Sequence, residues 1–173
     1  MTNHAQDMLC DALEMAESRA DFYTKAVNAC EAGPGKEVFE RLYEDEKAQI
    51  QRIKEIHENI VSGKAWADAC SLPEEESVGG AAMFRSIVDK YGKDHACTTE
   101  IGAIGTGLEL QKASVDFFEE WLKKAQDPTE KKFVERMVQE ERGHFMLLSD
   151  LQYFYEDPQG WSLKEDDQIL DGA

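Results

Sequence analysis

Proline is scarce: the 173 residues contain only Pro34, Pro73, Pro128 and Pro158. The stretches between them are rich in Ala, Leu, Glu, Lys and Met, which all favour helix. Basic residues are also few. Nineteen Lys and Arg stand against 36 Asp and Glu, a formal charge of −17. Such a field repels nucleic acid and anionic membrane, so neither is an expected partner. No apolar run approaches the roughly 18 residues that a membrane span needs. "MTNHAQDML" lacks a basic segment followed by an apolar one, so no signal peptide is expected. The four cysteines, Cys10, Cys30, Cys70 and Cys97, form no C-x-x-C pair, which argues against a zinc or iron–sulfur clip. Free thiols in a reducing cytoplasm are the expectation.

Hydrophobic residues make up 42% of the chain, enough for a globular core. The spacing predicts a first helix over 6–32, a second over 36–62, a third over 98–126 and a fourth over 128–155. Asp127 and Pro128 open the fourth as cap and first-turn proline. A linker containing "SLPEEESVGG" and a short helix over 81–91 are expected between the second and third. The tail "DPQGWSLKEDDQILDGA" reads as irregular, pinned by Trp161 and Leu170.

Two halves of the chain match at a shift of 95 residues. "ALEMAESRADFY" aligns with "GLELQKASVDFF", and without a gap Glu46 aligns with Glu141 and Gln49 with His144. One ungapped register shared by both helices of each pair implies a duplicated helical hairpin. The fold expected is all-α: an antiparallel four-helix bundle over 1–156 with a long crossover at about 63–96, and the tail 157–173 packed on it.

The inward stripes expected are apolar except at one level. The first helix offers Leu13, Ala16, Ala20, Tyr23 and Val27, and the third Leu108, Gln111, Val115, Phe118 and Leu122. The second offers Leu42, Glu46, Gln49, Ile53 and Ile60, and the fourth Val134, Met137, Glu141, His144, Leu148 and Leu151. Glu46, Gln49, Gln111, Glu141 and His144 thus meet in the core. Buried ionisable groups are costly unless paired, hydrogen-bonded or bound to metal.

With its "DFY" and "DFF" helices, its "YEDEKAQ" and "QEERGH" helices and its "DPQGW…LDGA" tail, the chain resembles the ferritin-like superfamily, in its rubrerythrin-like branch. The resemblance covers nearly the whole chain. It implies a di-iron site with one Glu from each of two helices and a Glu-x-x-His from each of the other two. Those positions hold Ala16, Gln111, Glu46-x-x-Gln49 and Glu141-x-x-His144. Three of six ligands remain: Glu46, Glu141 and His144. Gln49, Gln111 and Glu17 are weaker candidates. Glu17 lies about 100° around the helix from Ala16, while Glu14 and Glu109 should face outward.

The expected function is a rubrerythrin-like scaffold, non-catalytic or holding at most one ion of iron, manganese or zinc. The alternative is an active di-iron or di-manganese oxidoreductase, reducing peroxide or oxygen or oxidising iron through replacement ligands, with an external electron donor. The rubredoxin-like pair of C-x-x-C motifs is absent. The apolar "AAMFRSIV" suggests a homodimer. His57 reads as a partly buried histidine, and Trp66, Trp121 and Trp161 as packing anchors.

Overall fold

The computed structural model describes residues 2–70 and 98–171. Among them there are six helices and no strand, so the described residues are all-α. They are α1 (Thr2–Ala29), α2 (Pro34–Val61), α3 (Trp66–Ala69), α4 (Thr98–Lys124), α5 (Pro128–Glu156) and α6 (Pro158–Asp171). None is long and apolar enough to cross a membrane. The expected helix at 81–91, most of the 63–96 crossover and the "AAMFRSIV" segment lie outside the described residues.

Local chemistry sets the boundaries. Asp127 Oδ1 accepts from the backbone N–H of Thr129 and Glu130 at 2.8 and 3.1 Å, so two of the first orphan donors of α5 are satisfied. α2 ends where Gly63 adopts φ 91, a left-handed conformation that glycine tolerates. The tail is not irregular as expected. Asp157 Oδ1 accepts from Gly160 N–H at 2.9 Å, Pro158 opens the first turn, and α6 follows. Trp161 is buried edge-on to Phe154, with ring centroids 5.4 Å apart, whereas the Leu170 side chain lies outside the described residues.

The four long helices bury seams whose spacing alternates between three and four. In α1 and just beyond it the seam is Ala5, Leu9, Ala12, Ala16, Arg19, Tyr23, Ala26 and Cys30. In α4 it is Ile104, Gly107, Gln111, Ser114, Phe118 and Trp121. Such a seam suits helices crossing at a shallow angle. The expected stripes were therefore off-centre: Leu13, Val27, Leu108, Val115 and Leu122 are half-buried flanks. Arg19, Ser114 and Trp121 hold the centre instead.

Contacts fix the directions. Tyr23 stacks on Phe39, Arg19 meets Glu46 and Cys10 meets His57, so α1 and α2 run antiparallel. Trp121 meets Glu130 while Arg142 meets Glu119, so α4 and α5 also run antiparallel. Arg52 and Gln49 both reach Glu140, and Asp45 reaches His144, which sets α2 antiparallel to α5. Two apolar clusters fill the interior. One gathers Leu9, Ile53, Phe118, Trp121 and Phe133, closed by Trp66 of α3; the other gathers Tyr23, Phe39, Leu42, Leu148, Leu151 and Phe154. The polar level is contributed by seam positions between these clusters.

Candidate functional site

Glu46 and Gln49 of α2, Gln111 of α4, and Glu141 and His144 of α5 are all buried, as their seam positions require. Ligating atoms of Glu46, Glu141 and His144 lie within 4.8 Å of one another. Three expected residues are thus brought together. Glu17 is not: it is exposed and pairs with Lys54 at 3.4 Å. Its position, one residue beyond Ala16, turns it off the seam. Glu14 and Glu109 are exposed, as expected.

The residue that sequence reading missed is Arg19, which is 1% exposed. Its Nε donates to Glu46 Oε1 at 2.8 Å and its Nη2 to Glu46 Oε2 at 3.2 Å. The same Nη2 donates to Glu141 Oε1 at 3.4 Å. A guanidinium therefore bridges the two core carboxylates. Both Glu46 oxygens accept from it, which is the geometry of an ionised carboxylate. The alternation Leu9, Ala12, Ala16, Arg19, Tyr23 was the available signal, because it carries the arginine inward. Reading the stripe by residue class skipped it.

A second layer surrounds this pair. His144 Nε2 donates to Asp45 Oδ2 at 3.2 Å, and Gln49 Nε2 donates to Glu140 Oε2 at 3.0 Å. Arg41 pairs with Asp45 at 3.3 Å and Arg136 with Glu140 at 3.2 Å. These contacts relate to one another by the same 95-residue shift, through "RLYEDEKAQ" and "RMVQEERGH". Gln111 Nε2 donates to the Tyr23 hydroxyl at 2.7 Å and, more weakly, to Glu46 Oε1 at 3.4 Å. The position equivalent to Arg19 is Ser114, buried and small.

Electrostatics follow from this geometry. Burial raises the Glu46 pKa above its ordinary value, the Glu141 charge adds to that, and Arg19 opposes it without cancelling it. Burial alone would lower the His144 pKa. The Asp45 hydrogen bond and the charges of Glu141, Glu46 and Asp45 outweigh burial and hold it above its ordinary value. Burial would raise Asp45, but His144 and Arg41 bring it below the usual carboxylate range. Burial drives the Tyr23 phenol well above its usual range, so it stays protonated. Arg19 thus faces both Glu46 and Glu141, and Asp45 lies between His144 and Arg41.

A pair of metal ions does not fit this donor set. Ala16 offers no donor atom, and Gln49 and Gln111, whose Nε2 groups donate to Glu140 and Tyr23, offer only neutral amide oxygens where a histidine and a bridging carboxylate would be needed. Arg19 takes both oxygens of Glu46. A single ion has three candidate ligands, and Glu141 Oε2 and His144 Nδ1 are buried without a hydrogen-bond partner. Elsewhere, His57 is half-buried with its Nε2 3.3 Å from Cys10 Sγ. Cys10 is exposed and Cys70 buried, both as free thiols.

No protein-family model, curated protein or solved structure matches the chain.

Proposed function

We propose that this chain is a ferritin-like four-helix bundle of the rubrerythrin-like type, built from a duplicated hairpin, whose di-iron site has become a metal-independent polar core. It acts as a non-catalytic scaffold. What supports the fold reading is the pair of exchanged contacts, Asp45 with His144 and Gln49 with Glu140, at positions 95 apart. Antiparallel contacts of α1 with α2, α2 with α5 and α4 with α5 agree with it. The single observation carrying the functional reading is the guanidinium of Arg19 bridging Glu46 and Glu141. Iron oxidation or peroxide reduction at a metal pair needs anionic bridging ligands, and here the remaining carboxylates face a fixed cation. The scaffold works through its acidic surface, as a homodimer in a reducing cytoplasm.

A second reading has support of its own. The unpartnered Glu141 Oε2 and His144 Nδ1, with Glu46, could hold one divalent ion. Such an ion would supply Lewis acidity there, while the Asp45 hydrogen bond would orient the His144 ring. Aerobic Fe(II) titration of metal-stripped protein, followed by iron analysis after desalting, tests the proposal. It predicts less than one iron per chain and no new near-ultraviolet absorption. Two tightly held irons per chain, with oxygen consumption, would overturn it.

A further inference from the structure

We infer that Arg19 is the resident cation of this core, holding the place between Glu46 and Glu141 that a divalent ion would take, and that Arg19→Met opens a one-ion site there. This rests on the reading that the paired-metal centre has been lost. The guanidinium lies within hydrogen-bond distance of both carboxylates, at 2.8 and 3.2 Å from Glu46 and 3.4 Å from Glu141. An ion bound to the same oxygens would sit against a like charge. A lysine could yield by losing its proton, but a guanidinium does not deprotonate in proteins. Arg19 would have to leave the core, and it stands on the buried seam of α1 at 1% exposure.

The surroundings suit one internal cation of this size. Ala16, one turn earlier, and Ser114, at the equivalent position in α4, are both buried and short. One large cationic side chain fills the level to which four helices contribute. Without it, two buried carboxylates would face each other, with Glu141 Oε2 lacking a hydrogen-bond partner and His144 Nδ1 lacking one too, 4.0 Å from Glu46 Oε1. That oxygen-and-nitrogen donor set suits Co²⁺, Zn²⁺, Fe²⁺ or Mn²⁺.

The test is Co²⁺ titration of wild type and Arg19→Met. It is followed by visible absorption, by cobalt content after gel filtration and by the thermal midpoint. The variant should bind one Co²⁺ per chain at least about 100-fold more tightly than wild type, and its midpoint should rise with added metal. Adding Glu141→Gln and His144→Ala to the variant should abolish both effects. Equal Co²⁺ affinity in wild type and Arg19→Met would overturn the inference while leaving the loss of the metal pair intact. Two ions in wild type would overturn the loss itself. A folded variant that takes up no Co²⁺ would also overturn the inference. Should the variant be unfolded without metal, helical circular dichroism recovered with one bound Co²⁺ supports the inference, and no recovery overturns it.

Discussion

Removing the Arg19 charge while keeping its bulk should destabilise the protein in a pH-dependent way. Arg19→Met preserves much of the packed stem and leaves Glu46 and Glu141 without their shared cation. Breaking a buried ion pair from one side typically costs about 3–5 kcal/mol. Proton uptake limits the electrostatic part of that cost. Neutralising one carboxyl with an ordinary pKa of 4.5 at pH 7 costs about 3.4 kcal/mol, at 1.36 kcal/mol per pH unit. At pH 5 the same neutralisation costs only about 0.7 kcal/mol. The variant should therefore lose about 3 kcal/mol at pH 7 and roughly 1 kcal/mol at pH 5, relative to wild type at each pH. For a chain of this size, 3 kcal/mol lowers the thermal midpoint by about 6–12 °C. Urea unfolding followed by circular dichroism at pH 5, 6 and 7 measures the difference. Adding Glu46→Gln and Glu141→Gln removes the stranded charges and should recover most of the loss. A loss below about 1 kcal/mol at pH 7, or one that does not shrink toward pH 5, would refute the reasoning.

The His144 pKa is raised in the folded state, so its contribution is fully present below the unfolded value near 6.5 and is lost as pH rises through the folded value. Thermal midpoints of wild type should thus fall above pH 6.5 by more than those of His144→Gln. Ala16→Glu, Gln49→His and Gln111→Glu together should give two-iron binding only when Arg19→Ser is added, as read by iron stoichiometry. Tyr155→Phe removes the hydroxyl that accepts from Gly35 N–H at 2.9 Å, leaving a buried donor at the start of α2. It should cost about 1–3 kcal/mol in urea unfolding.

Much of the helical framework was legible in the sequence because proline and capping residues punctuate it sharply. Asp127 with Pro128 placed the start of α5, and aligning the sequence with itself at a shift of 95 residues paired Glu46 with Glu141 before any coordinates. The α6 helix was missed because the tail from Asp157 onward was read as irregular, although the same Asp-Pro pair opens α5 at Asp127 and Pro128. Arg19 was missed for a different reason. A lone arginine among "AESRADFY" resembles a solvent-facing charge, and only its register with Leu9, Ala12, Ala16 and Tyr23 brings it inward. A burial cost of that kind is met by two partners 27 and 122 residues away in sequence, which no local pattern reveals.

Crystals of wild-type protein soaked aerobically with Fe(II), with data collected at the iron edge, test the central claim most directly. The account predicts guanidinium density joining Glu46 to Glu141 and no anomalous peak between them. Two anomalous peaks between these carboxylates, with Arg19 displaced, would contradict it.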